Sequence, residues 1–137
     1  MKTKTNLKKI SFESIVDEIN ALETDTVLLV VDHIVWTAYS KDLDLEKITN
    51  KKIIFWKSPD GEKVKNINDY QNAVEFFLEK GIHRNAHLVV IGGGAVSDFA
   101  GFMAATILRG IKWSVVPTTL LSMVDASIGG KVAINSK

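Results

Sequence analysis

The stretch IGGGAVSDFAG, Ile91–Gly101, sets three glycines between an apolar run and a segment of helical periodicity. Backbone N–H groups at a helix start bind phosphate, and glycine lets a pyrophosphate come close to the chain. The spacing differs from the common dinucleotide fingerprint G-x-G-x-x-G, because Gly92-Gly93-Gly94-Ala95-Val96-Ser97 has serine in place of the third glycine. The order differs too. The usual acidic partner follows the glycines by about 20 residues, whereas the acidic candidate here, Asp32, precedes them. By residue chemistry alone, a tight strand-to-helix turn and a phosphate loop stay equally open. Asp98, taken alone, reads as a carboxylate placed in the first helical turn by the helix dipole.

Three further groups bear chemistry. SPDGEKVKN, residues 58–66, puts Glu62 and Lys65 on a loop, where they are either a solvated pair or contacts to a charged, hydroxylated ligand. PTTLLSMVDASIGGK places Pro117 at a helix start, with Thr118 and Thr119 among the free N–H groups. Asp125 and Lys131 flank its Gly-Gly turn. An acidic group near a helix C-terminus is disfavoured, so Asp125 points to function rather than to helix stability. Arg109, read in a last helical turn before Gly110, is either a dipole partner or an anion-binding guanidinium. His83 and His87 are four apart, but Gly81 and Asn85 argue against one helix carrying both, so no metal pair is expected there.

The elements that must position these residues follow from periodicity. Phe12, Ile15, Val16, Ile19 and Leu22 recur at helical spacing over residues 11–22, with Ser11 as cap. Residues 26–32, 52–56, 87–91 and 112–117 read as strands. The first and third of these are apolar on both faces, as in a parallel sheet covered by helices. Helices are expected over residues 66–80, with Ile67, Tyr70, Val74 and Phe77 buried and Gly81 at C′, and over 95–109. Ala100, Gly101, Ala104 and Ala105 would let another backbone approach the second of these. Thr118 to Asp125 read as a short helix. Strands alternating with helices indicate an α/β, Rossmann-like fold with a largely parallel sheet. Ligands in such sheets bind beyond the carboxyl ends of the strands. Asp32, Gly92–Gly94 and Thr118–Thr119 all follow strands and are expected on one rim.

The bulk properties narrow the field. The 137 residues suffice for one domain with a core, and 46% are apolar. A net charge of +1 argues against nucleic-acid or membrane binding driven by charge. With no cysteine there is no disulfide, thiolate metal site or cysteine nucleophile. The basic start MKTKTNLKKI has no apolar region of a secretory signal behind it, so a cytoplasmic protein is expected.

Taken together, GGGAVSDFAGFMAATILRGI, VPTTLLSMVDASIGGKVAIN, SPDGEKVKN and VVDHIV resemble 3-dehydroquinate synthase and the sugar phosphate cyclases related to it. The resemblance covers residue 26 to the end. It implies an NAD-binding α/β domain over residues 26–137, with residues 1–25 joined to it as a segment bearing the amphipathic helix. It further implies a carbon–oxygen lyase of the shikimate pathway, serving aromatic amino-acid biosynthesis. Such an enzyme converts 3-deoxy-D-arabino-heptulosonate 7-phosphate to 3-dehydroquinate and phosphate through a transient NAD-dependent oxidation. By the same resemblance Asp32, Glu62, Lys65, Gly93, Gly94, Ala95, Asp98, Thr118 and Thr119 contact NAD. Asp125 and Lys131 contact substrate, and Arg109 reaches substrate phosphate across a homodimer interface. The Gly-Gly-Lys turn favours the dehydroquinate branch over a cyclase of aminocyclitol synthesis. A non-catalytic nucleotide-binding module is the reading from a different class. The family's zinc or cobalt is held by a Glu and two His in a helical C-terminal domain, and those ligands are expected to be missing from this chain. The purified chain with added zinc is therefore expected to release no phosphate from the heptulosonate phosphate in a steady-state assay. Sustained phosphate release would refute this.

Overall fold

A computed structural model describes residues 12–58 and 67–117. Four strands, β1 (Thr26–Val31), β2 (Lys52–Lys57), β3 (His87–Gly92) and β4 (Lys112–Pro117), form one sheet in the order β2-β1-β3-β4. All three pairings are parallel, with Val31 opposite both Lys57 and Ile91, and Gly92 opposite Pro117. Four helices accompany them: α1 (Phe12–Asn20), α2 (His33–Tyr39), α3 (Ile67–Glu79) and α4 (Gly94–Thr106). This is the Rossmann-like architecture expected from the alternating pattern.

The strand order forces the layers. The connection from β1 to β2 moves toward one edge, while those from β2 to β3 and from β3 to β4 move toward the other. Right-handed crossovers then have to lie on opposite faces. The buried clusters follow that division. Leu28, Val30, Leu88 and Val90 meet Ala73 and Phe77 of α3 and Val96, Ala100, Met103 and Ala104 of α4. Val27, Leu29, Val31, Val89 and Ile91 meet Ile15, Val16 and Ile19 of α1 and Val35 of α2. Residues Val27 to Val31 are all fully buried, which is why β1 carries apolar side chains on both faces. Each such side chain contributes about 1.5–3 kcal/mol relative to exposure.

The described part of the N-terminal helix stripe behaves as its spacing predicts: Phe12, Ile15, Val16 and Ile19 are buried. Asn20 ties α1 to the segment before β2, donating to the Lys47 carbonyl at 3.1 Å and accepting from the Thr49 N–H at 2.9 Å. Ser11 lies outside the described residues. In α3 the expected stripe shifts. Ala73 and Phe77 are buried, but Ile67, the first residue of the helix, is 70% exposed. Gly81 takes φ of 75° at the expected C′ position.

Two expectations are corrected. Residues 33–39, given no element in the sequence reading, form α2; only Val35 of this short helix is buried, so its periodicity is faint. α4 ends at Thr106, and Arg109 lies in a following 3₁₀ turn rather than in the last turn of the helix. Leu108 and Arg109 both have positive φ there, at 51° and 71°. Two non-glycine residues in that region cost roughly 1 kcal/mol or more each. The small residues of α4 also act differently from expectation. Ala100 and Ala104 are buried on the sheet, Ala105 is exposed, and Gly101 receives the Trp113 indole rather than a backbone. A Cβ at Gly101 would stand 2.6 Å from that ring.

Adjacent residues of α3 provide a test of the layer assignment. Phe77 is fully buried and Leu78 is 43% exposed. Phe77→Ala is expected to cost about 3–5 kcal/mol in urea unfolding, and Leu78→Ala at most about 1 kcal/mol. Equal losses would contradict the packing.

Candidate nucleotide site at the carboxyl ends of β1 and β3

β1 and β3 are neighbours whose chains leave to opposite faces, into α2 and into α4. The gap between their carboxyl ends is a topological switch point, where open parallel sheets bind ligands. Asp32 ends β1 on one side of the gap, and Gly92–Gly94 end β3 on the other. The Asp32 N–H donates to the Ile91 carbonyl at 2.9 Å, which extends the strand pairing by one step and brings the two loops together. The rim expected from the sequence is therefore formed as far as Asp32 and the glycines are concerned.

Asp32 is also the N-cap of α2. Its Oδ1 accepts the Ile34 N–H at 2.8 Å, and its carbonyl accepts the Trp36 N–H at 2.9 Å. One carboxylate oxygen is thus committed to the helix, while a carboxylate offers about four lone-pair sites in all. The side chain is half-buried at the rim.

Across the gap, α4 begins with Gly93 as N-cap, in extended conformation and with no side-chain cap. The Ser97 N–H closes the first helical turn on the Gly93 carbonyl at 2.9 Å. Ser97, standing where the common fingerprint has its third glycine, turns its hydroxyl back onto the Gly94 carbonyl at 3.2 Å. Gly94 is exposed, and a Cβ built on it meets nothing within 4 Å. Among the described residues no packing requires glycine at 94, so its bare backbone leaves room for a ligand. Uncapped N–H groups, an open approach and the dipole of a 13-residue helix together suit a phosphate group.

The other candidates stand differently. Asp98 is exposed on α4 but lies beyond its first turn, so the dipole reading loses force. Arg109 is exposed just before β4 begins, at the opposite, amino end of the sheet. A six-residue strand spans roughly 20 Å, so Arg109 cannot reach the gap of its own chain. Glu62, Lys65, Thr118, Thr119, Asp125 and Lys131 lie outside the described residues. One rim residue was not singled out by sequence. Ser58 follows β2, is 1% exposed and donates its N–H to the Val31 carbonyl. Gly92 is buried directly beneath Asp32. A polar residue closing an apolar strand is the signal that could have found Ser58.

The histidines stand apart from the rim. Among the described residues, no three His, Asp or Glu gather to hold a metal ion. His87, at the amino end of β3, shares a 2.8 Å hydrogen bond between Nε2 and the Ser114 hydroxyl. Burial, and next the Lys112 ammonium, push its pKa below the ordinary value. Among the described residues, no helix is long and apolar enough to cross a membrane.

Comparison with known proteins adds to this geometry. A family model described as 3-dehydroquinate synthase N-terminal matches residues 55–137. The 3-dehydroquinate synthases of Staphylococcus aureus strains MSSA476 and MW2 are each 52% identical over 79 residues, which is 58% of this chain and 22% of theirs. A solved 2-deoxy-scyllo-inosose synthase superposes with a TM-score of 0.68 at 25% identity, over 95% of this chain and 38% of that one. A 2-deoxy-scyllo-inosose synthase complexed with carbaglucose-6-phosphate, NAD+ and Co2+ gives 0.66 at 27% identity, over 79% and 29%. ValA, the 2-epi-5-epi-valiolone synthase of Streptomyces hygroscopicus subsp. jinggangensis 5008, solved with NAD+ and Zn2+, gives 0.61 at 25% identity, over 86% and 35%. The chain thus spans less than half the length of each of these relatives.

The depressed pKa of His87 gives a pH prediction. The unfolded histidine takes up its proton near the ordinary 6.5, while the folded one resists it. Where the unfolded state binds more protons, stability rises with pH. Stability is therefore expected to fall as pH drops below that value toward the lowered folded pKa, and His87→Gln should flatten this part of a urea-midpoint profile. An unchanged slope in the variant would exclude His87 as its source.

Proposed function

Because the chain belongs to the 3-dehydroquinate synthase N-terminal family, we propose that it forms the NAD-binding part of a 3-dehydroquinate synthase. The whole enzyme is a lyase acting on 3-deoxy-D-arabino-heptulosonate 7-phosphate. The observation that carries the cofactor reading is the pairing of Asp32 with the open glycine turn at the switch point. The 52% identity to the staphylococcal 3-dehydroquinate synthases, against 25–27% to the solved cyclases, supports the dehydroquinate branch.

In this reading the free lone pairs of Asp32 accept hydrogen bonds from the adenosine ribose. The N–H groups of Gly93, Gly94 and Ala95 donate to the pyrophosphate. Asp98, Glu62, Lys65, Thr118 and Thr119 complete the cofactor contacts. When bound, NAD supplies an electron acceptor that is regenerated within each cycle. Such an acceptor would allow a ring hydroxyl to be oxidised transiently, which would acidify the neighbouring C–H for loss of phosphate. Asp125 and Lys131 orient the anionic, hydroxylated substrate. The position of Arg109, roughly 20 Å from the gap along the sheet, fits a role in a second copy's site, where its guanidinium would meet the substrate phosphate. A homodimer follows from that assignment. The described residues by themselves gather no metal-binding set, so the metal of the whole enzyme would need further ligands. Helix α1, packed in the same core as β1, joins residues 26–137 in one NAD-binding unit.

Calorimetric titration of NAD into the chain tests this reading. Saturable binding is expected, abolished by Gly93→Val and unchanged by Arg109→Ala. Folded wild-type protein that fails to bind NAD would refute the cofactor assignment, and equal binding by Gly93→Val would move the site away from the glycine turn.

A further inference from the structure

The glycines after β3 are not equivalent. Gly94 faces open space, but a Cβ on Gly92 would stand 3.0 Å from the Asp32 Cβ, 3.2 Å from the Val96 Cβ and 3.3 Å from the Val96 Cγ1. Contacts at these distances are tighter than nine in ten real Cβ contacts, so a neighbour must give by a few tenths of an ångström, and both neighbours are held. Asp32 is fixed at three atoms: its N–H on Ile91, its carbonyl under Trp36 N–H and its Oδ1 under Ile34 N–H. Val96 is 1% exposed in the core beneath α4. The contact point on Asp32 is its own Cβ, one bond from the carboxylate carbon. Any side chain at 92 therefore moves either the carboxylate or the start of α4.

We infer that Gly92 is a positioning residue, whose missing side chain fixes the span from the Asp32 carboxylate to the N–H groups of residues 93–95 and so makes the site select an unmodified ribose over a 2′-phosphorylated one. The inference rests on the cofactor reading above. A carboxylate held at this distance accepts from ribose hydroxyls and repels a 2′-phosphate, so discrimination depends on where it stands, not merely on its presence. Gly92 itself offers no side chain to the ligand and acts through Asp32.

The test is titration of NAD and NADP separately into the full chain and its Gly92→Ala variant. NAD affinity is expected to fall about tenfold while NADP affinity changes far less, so that the preference narrows by a similar factor. Simple loosening of the loop would instead lower both affinities by one factor, and that result, or no change in either, overturns the inference. A second comparison uses Asp32→Gly, which removes the nearest contact, the Asp32 Cβ, and leaves Val96 in place. In that background Gly92→Ala, still held against Val96, is expected to cost less NAD affinity and less urea stability than in the wild-type background; a loss as large as in the wild-type background overturns the inference. Should Gly92→Ala fail to fold, even partial recovery of folding in the Asp32→Gly, Gly92→Ala double variant supports the contact with Asp32; no recovery assigns the loss to Val96 and overturns the inference. Wild-type protein that binds neither nucleotide refutes the cofactor reading, and this inference with it. NAD binding with a uniformly weakened or unchanged Gly92→Ala refutes this inference alone.

Discussion

The parallel pairing of β1 with β3 is the constraint on which the rest depends. Val31 lies opposite Ile91, and one further hydrogen bond, from the Asp32 N–H to the Ile91 carbonyl, carries the pairing to the last point before the chains diverge. The divergence is compulsory. β2 lies on one side of β1 and β4 on the far side of β3, so right-handed connections leave the two strand ends toward opposite faces. A gap opens there because no backbone of the described residues crosses it. A carboxylate from one loop and a bare glycine turn from the other lie at its two sides, drawn together by that hydrogen bond.

That arrangement is made rigid by burial. β1 carries five consecutive fully buried residues, Val27 to Val31, alternating between two apolar clusters. A slip of one residue would exchange the side chains assigned to α3 and α4 with those assigned to α1 and α2. Aromatic pairs on both faces, Trp36 with Phe55 and Trp56 with Phe99, tie β2 to the helices as well. The rim residues therefore sit on strand ends whose positions the core has already fixed, and rigid elements hold a site better than loops do.

The glycines divide the remaining work between packing and access. Gly92 and Gly101 are required by neighbours, the first by Asp32 and Val96 and the second by the Trp113 ring. Gly94 is required by nothing among the described residues. Such a contrast lies within one short motif and separates a ligand's requirement from the fold's own. The same logic applies to the turn after α4, where Leu108 and Arg109 adopt positive φ without being glycine. The strain there presents an exposed guanidinium at the end of the sheet remote from the gap.

The sequence by itself determined the elements with strong periodicity or continuous apolar character. The strands near 26–31, 52–57, 87–92 and 112–117, the buried stripe of α1 and the C′ glycine at 81 were all legible, because local pattern and burial agree at these places. It also carried the motifs that mark the family. What it could not convey were features fixed by partners distant in the chain. α2 was missed because one buried residue, Val35, leaves almost no periodic trace. Arg109 was read into a helix because its turn is set by the entry into β4, not by helix propensity. The serial glycines at 92–94 look alike in sequence, and only the approach of Asp32, 60 residues earlier, distinguishes Gly92 as a packing position from Gly94 as an open one. The tertiary structure decided that distinction, because steric exclusion depends on which atoms arrive from elsewhere, and a linear pattern carries no record of them.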